Sequence, residues 1–220
     1  MKISAVIVAA GSGTRMKAGK NKVFLELLGK TILEHTVSTF ENMPQISEII
    51  VVTNEIDEAE KVLSKYSKLK AIVPGGAVRG ESVQNGLKKA TGDFVAIHDG
   101  ARALILSEDI ENVLNAAMEF GAAALGVKCK DTLKMADENG FISKTLDREF
   151  LYNIQTPQVF KLSEIMEMYE KCDQVFTDDC ALFEKYGKRV KIVDGSYDNI
   201  KITTPDDMDL AERILKKRGM

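Results

Sequence analysis

The chain has 220 residues, 45% hydrophobic and 29% charged, the balance expected of a soluble globular protein long enough to bury a full core. Its formal charge of −3 at pH 7 argues against a general nucleic-acid binder. Cys129, Cys172 and Cys180 form no CxxC pair, the two histidines complete no zinc spacing, and no apolar run approaches the roughly 18 residues of a membrane span. The first strand-like run starts at Lys2, too early to follow a signal peptide, so a cytoplasmic protein in a reducing compartment is expected.

In chain order, strand-like runs occur at 2–10, 48–54, 70–75, 93–99, 122–134 and 188–195. Several are near-continuous Val/Ile/Ala stretches, the pattern of parallel strands covered on both faces. Helical patterns fall between and after them, at 31–42, 56–66, 79–90, 107–120, 163–171, 178–187 and 204–218. The alternation predicts an α/β fold with a doubly wound, mostly parallel sheet, in one domain over residues 1–220. Residues 129–150 break the rhythm with two short strands around a polar turn at Asp137–Gly140, either an edge hairpin packed on its own domain or an arm gripping a partner.

The first strand runs into "AAGSGTRMKAGKNK". A dinucleotide fingerprint requires a third glycine where Met16 stands and an acidic residue after the second strand, where Thr53 and Asn54 stand. No Gly-Lys-Ser/Thr closes the loop, so the phosphate loop of NTPases is absent too. The loop instead carries Arg15 and Lys22. Cations beside a glycine loop can neutralise charge on a departing pyrophosphate, which suits a triphosphate attacked at its α-phosphorus. The bland alternative is a surface turn with solvated basic residues.

Further motifs follow. "FVAIHDGAR" puts Asp99 at the carboxyl end of a buried strand, where a carboxylate can hold Mg²⁺ against phosphates or simply cap a turn. His98 reads as a packed strand-end residue rather than a base. Ser82, in "GGAVRGESVQNGL", could cap a helix. Lys201, between Ile200 and Ile202, would point away from both in an alternating strand, and Thr204-Pro205 reads as a helix start.

The segments AAGSGTRM (9–16), PGGAVRGESVQNGL (74–87), HDGAR (98–102), DTLK (131–134), TLDREFLYNIQTPQVF (145–160), TDD (177–179) and DNIKITTPDDM (198–208) occur in order across essentially the whole chain. Together they resemble the 2-C-methyl-D-erythritol 4-phosphate cytidylyltransferases, within the alditol-phosphate cytidylyltransferase family. The resemblance implies a Rossmann-like nucleotidyltransferase fold with a projecting β-hairpin arm at about 129–150 that makes a homodimer. It implies CTP and a methylerythritol phosphate as substrates, Mg²⁺ as cofactor and no membrane or nucleic-acid partner. Catalytic roles would fall to Arg15, Lys22, Arg148 and Lys201, and the metal to Asp99. Nucleotide contacts would come from Ala9, Ala10, Gly11, Ser12, Gly13, Thr14, Gly76, Ala77 and Ser82. Arg102, Thr132, Thr156 and Thr177 would contact the second substrate. The chain departs from the family pattern at Ala77-Val78, where an acidic residue and Glu are common. Two alternatives stay open: a ribitol-5-phosphate cytidylyltransferase and a non-catalytic nucleotide-binding regulator, the latter disfavoured by the presence of Arg15, Lys22 and Asp99.

Overall fold

The protein is represented by a computed structural model describing residues 1–11, 21–172, 174 and 176–219. Strand β1 (Ile3–Val8) leads through a two-stranded ladder, β2 (Glu26–Leu27) and β3 (Lys30–Thr31), into helix α1 (Ile32–Glu41). There follow β4 (Ile46–Val52), α2 (Ile56–Leu63), β5 (Leu69–Val73), α3 (Arg79–Leu87), β6 (Phe94–Asp99), α4 (Ser107–Phe120) and β7 (Ala122–Lys128). The hairpin β8 (Lys134–Ala136) and β9 (Ile142–Thr145) comes next, then β10 (Tyr152–Lys161) and α5 (Leu162–Lys171). Helix α6 (Asp179–Lys185), β11 (Lys191–Asp194) and α7 (Pro205–Lys217) complete the chain.

Seven strands form one sheet in the order β11-β7-β10-β6-β1-β4-β5. Strand β1 pairs in parallel with β4 on one side and β6 on the other, so the winding direction reverses there. Adjacent β1 residues feed opposite cores: Ile7 packs with Phe40, Val51 and Val113, and Val6 packs with Ile50, Val83, Ile97 and Phe160. Both faces are buried, which is why these strands carry no polar alternation. A third cluster joins Leu27, Leu104 and Ile202 to Ala211 and Leu215 of α7. It anchors the segment before that helix.

The doubly wound, mostly parallel sheet is as expected, but β10 is a strand that the pattern did not announce. It runs antiparallel to both β6 and β7 through the middle of the sheet. Proline ordinarily demotes a run to an edge, because it lacks an N–H for the ladder. Pro157 is accommodated where the β10–β7 register shifts between Ile154 and Gln158. The ladder β2–β3 was also unannounced, being two residues per strand. Residues 199–203 form no strand: Lys201 is exposed and Ile202 buried as expected, but Asn199 is fully buried and Ile200 only half-buried, so the alternation holds for that one pair alone. Thr204 caps α7 in a reciprocal capping box with Asp207, and Pro205 opens the helix.

The hairpin projects from the sheet as expected. The Phe141 N–H donates to Asp137 Oδ1 at 2.9 Å, the Gly140 N–H donates to the Asp137 carbonyl, and Gly140 adopts φ 83°. Residues 131–145 are all exposed in the isolated chain.

Candidate active site

A cleft of about 550 Å³ opens at the carboxyl ends of β1 and β6, where the winding reverses. Open α/β sheets bind ligands at this position. Ala9, Ala10, Gly11, Lys22, Gly76, Ala77, Ser82, Asp99 and Lys201, all singled out from sequence, line it together. Val8 and Asp99 stand side by side in the β1–β6 register, so the start of the glycine loop and the carboxylate are neighbours by strand pairing alone. Ser12, Gly13, Thr14 and Arg15 lie outside the described residues.

Backbone clamps shape the cleft. Asn21 is 5% exposed, and its Nδ2 donates to the Ala9 carbonyl and to Glu55 Oε2, both at 3.0 Å. Its Oδ1 accepts the Val23 N–H at 3.3 Å, so one amide joins the two ends of the glycine loop and sets Lys22 beside the cleft. Asn54 Oδ1 accepts the Gly75 N–H at 3.0 Å. A Cβ at Gly75 would lie 2.2 Å from the Ala10 Cβ, so only glycine lets this turn close on the loop. Ser82 is not the cap of α3, which begins after Val78 without a side-chain cap. Its hydroxyl accepts the Gly76 N–H at 3.0 Å and donates to the Val78 carbonyl at 3.3 Å. Ser82 therefore holds the glycine turn from inside the helix.

Asp99 is the electrostatic centre. Lys201 Nζ is 2.9 Å from its carboxylate, Arg102 Nε 3.5 Å and Arg79 Nε 3.8 Å. Burial is the largest influence and pushes the carboxyl pKa up, but Lys201, Arg79 and Arg102 together outweigh it and hold the value at about 2. Below the carboxylate, the Asp99 N–H donates to Thr156 Oγ at 3.0 Å. The same hydroxyl lies 3.0 Å from His98 Nδ1, and His98 Nε2 lies 3.2 Å from the Arg102 carbonyl. A carbonyl only accepts, so Nε2 carries the proton, Nδ1 accepts from Thr156, and every hydrogen is accounted for. Burial drives the imidazole pKa down to about 4, which keeps it neutral. His98 is thus a buried support, as its sequence position suggested.

Arg102 Nη1 donates to the Asn199 carbonyl at 2.7 Å, and Asn199 Nδ2 donates to the Thr156 carbonyl at 3.1 Å. These bonds fix the approach of the Lys201 segment from α7 to the end of β6. Thr132, Arg148 and Thr177 are exposed and do not line the cleft of their own chain. Arg148 Nη1 donates to the Lys130 carbonyl at 3.0 Å across the base of the arm. Sequence reasoning missed Asn21, Asn54 and Arg79. Arg79 sits in a motif already quoted, and a buried-charge argument on its two later partners would have needed the fold.

Among the described residues no group of three His, Cys, Asp or Glu side chains is placed to hold a metal. A lone ionised carboxylate still fits Mg²⁺, which takes one or two protein carboxylates and completes its shell with substrate phosphates and water. It does not fit a resident structural cation. Again among the described residues, no helix is long and apolar enough to cross a membrane.

Residues 3–217 match the family model of 2-C-methyl-D-erythritol 4-phosphate cytidylyltransferase. A protein of that name from Caldanaerobacter subterraneus subsp. tengcongensis is 47% identical, over 99% of this chain and 100% of its own length. One from Clostridium acetobutylicum is 45% identical over 98% of each chain. The crystal structure of 4-diphosphocytidyl-2C-methyl-D-erythritol synthase from Anaerococcus prevotii superposes with a TM-score of 0.87 at 37% identity, over 97% of this chain and 98% of that one. A family match over nearly the whole chain, relatives close to half identical along their full length, and a superposable fold together settle its kinship: the chain belongs to the 2-C-methyl-D-erythritol 4-phosphate cytidylyltransferase family.

Proposed function

We propose that this cleft carries out the family's reaction, in which CTP and 2-C-methyl-D-erythritol 4-phosphate give 4-diphosphocytidyl-2-C-methyl-D-erythritol and pyrophosphate. The phosphomonoester oxygen of the second substrate attacks the α-phosphorus of CTP in line. That oxygen is already anionic, so no general base is needed, and His98, neutral and fully bonded, supplies none. Ala10 to Thr14 would cradle the triphosphate with backbone N–H groups, Ala9 lining the site with its own N–H given to the Val52 carbonyl, while Arg15 and Lys22 stabilise charge passing to the leaving pyrophosphate. Gly76, Ala77 and Ser82 hold the cytidine, with base recognition through the backbone because Ala77 has no polar side chain. Asp99 would hold Mg²⁺, which when bound offsets phosphate charge and orients the triphosphate. Lys201 and Arg102 orient the attacking phosphate, Thr177 contributes a hydroxyl to that substrate, and Thr156 works from beneath by fixing Asp99.

The observation that carries this reading is the ring of three cations around one buried carboxylate at the sheet's reversal point. Arg79 is shared with Asp179, so three cations face two carboxylates, and the positive charge left over is what a dianionic phosphate and a triphosphate meeting at one atom need. Thr132 and Arg148 come from the arm of a second subunit. Phe141, Ile142 and Phe150 are 72%, 67% and 76% exposed on and beside that arm, apolar surface that a homodimer would cover. The enzyme would act in the cytoplasm. Pyrophosphate release decides the chemistry: CTP with methylerythritol phosphate should turn over at least tenfold more efficiently than UTP, ATP or GTP, or than CTP with ribitol 5-phosphate. Equal rates with UTP or with ribitol phosphate would overturn the substrate assignment.

A further inference from the structure

Arg79 opens α3 immediately behind the glycine turn, and its guanidinium is divided between two carboxylates from different elements. Nη2 lies 2.8 Å from Asp179 Oδ2, while Nε faces Asp99 Oδ1 at 3.8 Å. An ordinary buried ion pair would put the whole fork on one carboxylate. Asp179 is fully buried at the start of α6, and its other oxygen accepts the Tyr169 hydroxyl of α5. A charge so buried needs a partner, and Arg79 is the cation it pairs with. Around this point Gln158 Oε1 accepts the Asp179 and Cys180 N–H groups at 3.1 and 3.2 Å. Gln158 Nε2 donates to Asp178 Oδ2 at 3.1 Å. The turn carrying Thr177 is thus tied to β10 through Gln158, and to the nucleotide turn and Asp99 through Arg79.

We propose that Arg79 is a positioning residue that sets the Thr177–Asp179 turn against Asp99 and the Gly76–Ala77 turn, holding the alditol-phosphate pocket in register with the nucleotide pocket. Its relevance to substrate rests on the reading of Thr177 as a contact to the alditol phosphate. Lysine keeps the charge but puts it on one nitrogen, so it cannot reproduce the rigid fork whose Nε and Nη2 face the two carboxylates separately. The Asp179 link is the closer of the two, so loosening it acts on the second substrate and spares the first.

The test measures KM for the alditol phosphate, kcat, and the dissociation constant of CTP with Mg²⁺ alone, for Arg79→Lys, Asp179→Asn and the double variant. Each single change should raise KM for the alditol phosphate about tenfold, leave CTP affinity within about threefold, and the double variant should be no worse than the worse single one. Tyr169→Phe loosens the same carboxylate more gently and should raise that KM about threefold, which keeps the test alive if Asp179→Asn does not fold. Variants that lose thermal stability but keep KM within twofold would overturn the proposal, as would effects that multiply in the double variant. Thr177→Val separates the two readings. If it leaves KM unchanged while Arg79→Lys raises it, the link stands and the role given to Thr177 falls.

Discussion

Lys22 lines the cleft next to Asn21, whose amide anchors the loop's return, so the charge of one residue and the bonds of the other are separable by experiment. Lys22→Ala should lower kcat about a hundredfold with a smaller rise in KM for CTP, since its charge acts on the departing pyrophosphate. A normal kcat with weakened CTP binding would show that Lys22 merely docks the nucleotide. Asp99→Asn removes the charge that three cations surround, and should abolish turnover at any Mg²⁺ concentration while the chain stays folded; near-normal activity with unchanged Mg²⁺ dependence would exclude it as the metal ligand. Lys22 and Asp99 were legible because each pairs a charged side chain with a recognisable loop or strand end, whereas Lys201 was singled out by the family resemblance alone. Arg79 and Asn21 stayed hidden because their meaning depends on partners far off in the chain: Asp179 for Arg79, Ala9 and Glu55 for Asn21.

At the scale of elements, β10 was the strand hardest to read. Its polar Asn153, Gln155 and Gln158 look unlike the interior of a sheet, yet Gln155 and Gln158 are buried because they bond loops on either side. The parallel strands were legible because both their faces meet helices and nothing polar interrupts them. Their amino ends hold a second polar device, away from the cleft. Glu48 on β4 accepts from Ser4 at 2.6 Å, from Lys70 Nζ at 2.6 Å and from the Thr91 N–H at 2.7 Å, tying three strand ends together. Burial, the largest influence, raises its pKa, but these bonds prevail and depress it from 4.5 to about 2. A folded-state pKa below the unfolded one gives stability that is complete above about pH 4.5 and lost as pH falls towards 2. The contribution at neutral pH is about 3 kcal/mol by this linkage. Glu48→Gln should therefore lower stability by about 1–3 kcal/mol at pH 7, flatten the acid limb of denaturation and leave kcat unchanged. An unaltered acid limb in chemical denaturation would show that the carboxylate is not the staple.

At the scale of the molecule, the residues assigned to the proposed site do not all meet within one chain. Lys201 lines the cleft, whereas Arg148 and Thr132 are exposed side chains on an arm that does not line its own cleft. A surface hairpin gains nothing from Met135, Phe141 and Ile142 facing water at 51%, 72% and 67% exposure, so the arm's composition points to a second copy. The simplest closed arrangement is an isologous dimer in which each arm enters the neighbour's cleft. Mixing two dead chains tests this directly. In a heterodimer of Arg148→Ala and Lys201→Ala chains, the first chain keeps its own Lys201 and receives an intact Arg148 from the other. The second pocket lacks both. Random exchange makes half the dimers mixed with one competent pocket in each, so activity should return to roughly a quarter of wild type while either variant alone stays impaired. If exchange restores nothing, or if the wild-type chain is fully active while sedimenting as a monomer, then Arg148 does not serve a neighbouring subunit and the arm's apolar side chains require another cover.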